Sequence, residues 1–120
     1  MLNLDTHIVI LFVAGNLREP ELRAMAAEEL AISDIVLWEL AMLARAGRLD
    51  VDWTDAGFQS FLRGLTVIPI SMEIARQSTQ LDFASDPADE IIAATSVVEK
   101  IPLLTRDRRI RKSKVVPLAL

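Results

Sequence analysis

The chain has 120 residues, a length that suits one domain with its own core, and 52% of them are apolar. No run approaches the roughly 20 apolar residues of a membrane span, and the lack of cysteine excludes disulfides and thiolate metal sites and fits a reducing cytoplasm. The net charge of −4 is unevenly spread: residues 100–114 hold 7 of the 13 basic residues and one acid, Asp107, which reads either as a solvated segment or as an edge facing a polyanion.

In chain order, LNLD (2–5) reads as a short buried strand, with Thr6 placed to cap a helix over about 7–14. That helix carries the longest apolar run, IVILFVA, which ends at Gly15 with no basic region before it, so no secretory signal is expected. Pro20 suits the first turn of a second helix, PELRAMAAEEL. AIS (31–33) predicts a strand, and Asp34 a cap for a helix that runs to about Ala46 and ends at Gly47. A short helix is expected in TDAGFQSFLRG (54–64), then a strand in TVIPI (66–70) and a helix from Ser71 to about Gln80. Pro87 to Lys100 reads as a strong helix, IPLLT (101–105) as a strand, RDRRI as a helical turn and VVPL (115–118) as a last strand. Short apolar strands alternating with helices imply a parallel sheet covered on both faces, an α/β/α sandwich forming a single domain over 1–120. In such sheets ligands bind beyond the carboxyl ends of the strands.

Four acids stand where apolar residues are expected. Asp5 comes directly off the first strand. Glu39 is the one charge in IVLWELAMLA, with no cap and no basic residue within four positions. Asp89 has Ile92 and Ala93 at i+3 and i+4, which turns it inward. Asp107 lies two residues beyond Thr105. Each has a structural reading: Asp5 as a strand-end turn, Asp89 in a first helical turn, Asp107 as a cap. Asp86 reads best as the cap of its helix. Acids converging on one sheet edge repel unless a cation lies between them, and hard oxygen donors favour Mg²⁺ or Mn²⁺.

Four motifs in order, LDTH (4–7), VLWELAMLARAGRL (36–49), SDPADEIIAAT (85–95) and LLTRDRRI (103–110), make the chain resemble PIN-domain ribonucleases of the VapC toxin type over nearly its whole length. The resemblance implies Asp5, Glu39 and Asp89 as an acidic triad and Asp107 as a fourth, weaker acid, with Thr6 and Thr105 as supporting hydroxyls. It implies an endoribonuclease in which Mg²⁺ or Mn²⁺ activates water against an RNA phosphodiester, with no role for a histidine base. His7, the one histidine, is expected to pack or hydrogen-bond at a helix start, and Trp38 and Trp53 to lie in core or interface. Arg106, Arg108, Arg109, Arg111 and Lys112 flank the fourth acid and are placed to hold an RNA backbone. Implied partners are a small cognate antitoxin, which covers apolar helices and blocks the acidic site, and a second copy in a homodimer; the setting is cytoplasmic and no membrane is involved. The chain departs from many relatives at Glu90, where they carry Arg, and at DFAS, where they often carry His before DPAD.

Three other readings compete. An RNA-processing nuclease outside a toxin pair would share every acid, and the short length favours the toxin. A PIN fold that binds partners without cleaving is disfavoured by the presence of all four acids. A phosphoacceptor receiver domain needs an acid pair after the first strand and an aspartate after a middle one, whereas Asp5 stands alone and none follows TVIPI.

Overall fold

The short apolar runs form one parallel sheet in the computed structural model, which describes residues 1–120. Its strands are β1 (Leu2–Leu4), β2 (Leu30–Ser33), β3 (Thr66–Ile68) and β4 (Leu103–Leu104), in the order β3-β2-β1-β4. In β1, Leu2 and Asn3 pair with Leu30 and Ala31 on one side, and Asn3 and Leu4 pair with Leu103 and Leu104 on the other. All three β1 residues are buried. Because neighbours on a strand point to opposite faces, both faces of the sheet are covered. Seven helices surround it: α1 (Thr6–Val13), α2 (Glu19–Ala26), α3 (Asp34–Arg45), α4 (Ala56–Arg63), α5 (Met72–Ser78), α6 (Pro87–Glu99) and α7 (Arg108–Arg111). Strand order steps outward from β1 to β3 and then returns across β1 to β4. The reversal falls between β1 and β4, where such sheets leave a crevice at their carboxyl ends.

Several local expectations are corrected. Asp5, not Thr6, caps α1: its backbone is still extended and its Oδ1 accepts the Thr6 N–H at 2.8 Å. Ser33, not Asp34, caps α3 through the Ile35 N–H, and Asp34 Oδ2 instead accepts from Ile70 N at 3.2 Å. Helix α2 stops at Ala26, because the Glu29 carbonyl must meet Leu2 N at the start of the β1–β2 ladder. Residues 115–118 make no strand, only one bridge from Leu118 to Leu103. There Pro117 has no N–H to give, and Ser113 Oγ takes the amides of Val115 and Val116. Trp38 is no core residue, being 55% exposed, whereas Trp53 packs on the core edge-on to Phe58.

Two polar ties set how helices sit on the sheet. Asn3 is fully buried, and its Nδ2 donates to Ser96 Oγ (3.0 Å) and to the Ile92 carbonyl (3.3 Å), pinning α6 to β1. Asn3 shares its strand face with Asp5 two residues on, and Ile92 lies one turn beyond Asp89. The same tie therefore fixes Asp89 relative to Asp5. The second tie is a bidentate pair: Arg106 Nε and Nη2 donate to Glu21 Oε2 (2.8 Å) and Oε1 (2.6 Å). Glu21 Oε1 also accepts the Arg18 N–H at 2.8 Å, so one buried carboxylate joins the first turn of α2 to the segment after β4.

Replacing Asn3 with Ala is expected to lower the unfolding free energy by about 1–3 kcal/mol, while Trp38→Ala changes it by less than about 0.5 kcal/mol; urea titrations compare the two. The hydrogen bonds from Arg106 hold the Glu21 carboxyl down from 4.5 to about 2. A depressed carboxyl stabilises the fold above its unfolded value, and that stability is lost as pH falls from about 4.5 towards 2. The unfolding free energy should thus drop across this window by up to about 3 kcal/mol more in the wild type than in Glu21→Gln. Parallel pH curves would contradict the pair's contribution.

Candidate active site

The carboxyl ends of β1 and β4 bring the two ends of the chain together. Asp5 leaves β1 with its main-chain N–H on the Leu104 carbonyl at 3.1 Å. Its side chain is 1% exposed as a residue yet has defined partners: Oδ1 takes Thr6 N, and Oδ2 accepts the Thr105 hydroxyl at 2.6 Å. The same Thr105 Oγ1 accepts from the Asp107 N–H at 3.0 Å. One hydroxyl thereby orients Asp5 and positions the Asp107 backbone. Asp107 Oδ1 caps α7 through Arg109 N and Ile110 N, which leaves Oδ2 without a partner in the protein. Both readings of Asp107, cap and site acid, are compatible with this geometry.

His7 hydrogen-bonds as expected. Its Nε2 accepts the Arg106 main-chain N–H at 3.1 Å, so the neutral ring carries its proton on Nδ1, which faces Asp5 Oδ2 at 3.7 Å. That separation is too long for a hydrogen bond. The ring therefore braces the Arg106 main chain beside Asp5.

Glu39 reaches the same edge from α3 and accepts the Thr6 hydroxyl on Oε1. It finds no arginine. Burial, and then the charges of Asp89, Asp5 and Asp86, push its carboxyl above the ordinary range, with the Thr6 bond opposing them. Asp89, in the first turn of α6, accepts the Ser85 hydroxyl at 2.9 Å. Burial raises its carboxyl too, followed by repulsion from Asp5, Asp107 and Asp86, against the lowering effect of Ser85. The four expected acids thus lie within one another's field, together with a fifth. Asp86 stands at the N-cap position of α6, but its side chain makes no capping hydrogen bond. The expectation that it caps is corrected: Pro87 supplies the rigid helix start, and the exposed Asp86 carboxylate adds to the negative field instead.

Sequence reasoning missed Ser85 and the acidic role of Asp86. The signal for both was the spacing in SDPAD, which sets a hydroxyl four residues, and a carboxylate three residues, before Asp89. The Glu21–Arg106 pair had no such signal, since 85 residues separate its partners.

In chemistry the donor set suits a hard divalent cation: carboxylate and hydroxyl oxygens, no sulfur, and mutual repulsion that a cation would relieve. Each of the four expected carboxylates is turned to a hydroxyl or an amide, and no three of the acids close on a common point. Coordination by three or more would require side-chain rotation at Glu39, Asp89 or Asp107, whereas Asp5 is held. The basic residues divide. Arg106 is neutralised by Glu21, Arg111 donates to the Thr105 and Leu120 main-chain oxygens, and Arg108, Arg109 and Lys112 are exposed.

Known proteins resemble this chain in sequence and in fold. The profile of the PIN domain matches residues 3–115. Ribonuclease VapC22 of Mycobacterium tuberculosis (strain ATCC 25618 / H37Rv) is 30% identical over 125 aligned positions, covering 92% of this chain and 90% of that protein. Among solved structures, VapBC2 from Rickettsia felis bound to a DNA fragment from its promoter superposes with a TM-score of 0.74 at 20% identity, covering 99% of this chain and 98% of that one. A toxin–antitoxin complex from Klebsiella pneumoniae gives a TM-score of 0.69 at 24% identity, with 93% and 91% covered. The two structures agree in fold, and with a family profile that spans nearly all of the sequence, the chain belongs to the PIN domain family, among its VapC-type members.

Proposed function

We propose that the protein is a divalent-metal-dependent endoribonuclease and the toxin of a toxin–antitoxin pair. The observation that carries this reading is the gathering of Asp5, Glu39, Asp89 and Asp107 at the sheet's reversal point, where burial first and the neighbouring acids second raise Glu39 and Asp89. The likeness to a protein named as a ribonuclease supports it. Those four residues would hold Mg²⁺ or Mn²⁺, which, when bound, supplies activation of water and neutralisation of charge on the leaving oxygen.

The chain's own residues supply the rest. Thr105 and Thr6 hold Asp5 and Glu39 by their hydroxyls, and Ser85 holds Asp89. With Asp5 fixed by two hydrogen bonds, the carboxylate pays little conformational entropy when it takes a ligand. No histidine is placed to act as a base, since His7 Nε2 is occupied by the Arg106 N–H. The exposed arginines after Asp107 offset the repulsion between the acids and a polyanionic substrate.

A partner fits the same surface. Solved relatives include a toxin–antitoxin complex, and a cationic side chain from an antitoxin would supply these acids with the countercharge that the chain does not provide. Trp38, 55% exposed, and Met72, 81% exposed, leave apolar surface for an antitoxin or a second copy to cover.

The test is incubation of RNA with the purified protein and Mn²⁺ or Mg²⁺. Cleavage is expected with either ion, to be abolished by EDTA and to fall about 100-fold or more in Asp5→Asn and in Glu39→Gln, the several kcal/mol that a bound divalent ion supplies. Asp52→Asn, in an exposed turn and not among the acids that act on Glu39 or Asp89, should cleave like the wild type. Undiminished cleavage by Asp5→Asn would overturn the mechanism.

A further inference from the structure

Thr105, which holds Asp5, also lines an open cleft of about 440 Å³. Arg18, Glu21, Thr105, Arg106, Arg108 and Arg111 line it, four arginines against one carboxylate. Glu21 is wholly engaged by Arg106 and by the Arg18 N–H, so that pair is scaffold and contributes no free charge. Arg111 is already engaged, Nη1 on the Thr105 carbonyl at 3.2 Å and Nη2 on the Leu120 main-chain oxygen at 2.9 Å. The Arg18 and Arg108 guanidiniums make no ion pair at all. Two guanidiniums without an ion pair, Arg18 at the start of α2 and Arg108 in α7, thus face one cleft, with Arg111 beside them.

We propose that this cleft is a phosphate subsite for single-stranded RNA, holding a backbone phosphate next to the one presented to the acids; it rests on the nuclease reading above. Thr105 is shared, its hydroxyl on Asp5 and its carbonyl on Arg111, which joins the two sites through one residue of chain. Guanidinium forks match the oxygens of a phosphodiester. The acid cluster by itself repels RNA, so a positive cleft beside it supplies the attraction that brings a strand into register. The lining offers no aromatic ring for a base to stack on, which makes the subsite one for backbone and blind to sequence. Within the basic segment, the cleft selects Arg108 and Arg111, sets Arg106 aside as scaffold, leaves Arg109 and Lys112 outside, and adds Arg18 from 90 residues away in the chain.

The experiment measures binding of a fluorescent single-stranded RNA oligonucleotide to the purified full chain in EDTA, by anisotropy over a salt series. Arg18→Gln and Arg108→Gln should each weaken binding roughly 3- to 10-fold and lower the slope of log affinity against log salt by about 0.7. Arg48→Gln, past the end of α3, should do neither. Arg18 and Arg108 are exposed, and unchanged thermal unfolding of each variant guards against loss of fold. Wild-type affinity and slope in both variants would overturn the subsite, even with cleavage by the wild type intact. Absence of cleavage by the wild type with Mn²⁺ would instead overturn the nuclease reading, and the RNA subsite with it. If both variants lose binding of an acidic peptide while retaining RNA, the cleft serves a protein's carboxylates, and the proposal is wrong.

Discussion

One hydroxyl joins the two ends of this chain. Thr105 Oγ1 donates to Asp5 Oδ2 and accepts from Asp107 N, so β1 and β4, brought side by side by the sheet, deliver their acids to one place. The bond depends on parallel pairing of Asn3 and Leu4 with Leu103 and Leu104, since a slip of one residue would turn both side chains to the opposite face. The remaining acids are placed by helices that the same strands anchor. Asn3 pins α6, which carries Asp89, and Thr6, at the start of α1, meets Glu39 on α3. A site whose members repel one another is held by neutral donors: threonine, serine and main-chain N–H groups in place of countercharges.

That choice of donors explains why opposite charges lie apart. Had arginines been paired with Glu39 or Asp89, those carboxyls would be neutralised and unavailable to a cation. The basic residues lie instead in the segment around and after Thr105, where Arg106 is fixed by Glu21 and Arg108 and Arg111 line a separate cleft. An acidic cluster and an arginine-lined cleft that share one residue are what the proposed reading asks for: a polyanionic substrate would meet a cation at one and arginine at the other.

Much of this was legible in the sequence, for physical reasons that differ by residue. Asp5 was visible because a carboxylate ends an apolar strand, and Glu39 because burial without a partner is costly enough to be rare. Helix α6 and β4 were readable from proline punctuation and from a continuous apolar run. Capping was less so, because Asp5 or Thr6, and Ser33 or Asp34, could each serve, and only the extended backbone at the first of each pair decides. The strand expected at 115–118 failed because Ser113 takes the amides a ladder would need. Asp86 was misjudged by a sound local rule, since nothing in SDPAD tells whether a cap residue turns its carboxylate to the helix or away. Ties across the chain, Glu21 with Arg106 and Asn3 with Ser96, carry no local signature.

Whether these acids form a cation site is decided most directly by calorimetric titration of Mn²⁺ into the purified protein at neutral pH, wild type against Asp5→Asn and Asp89→Asn. Saturable binding is expected in the wild type, weakened by more than about tenfold in each variant. Equal Mn²⁺ affinity in all three proteins, or no binding by the wild type, would contradict it.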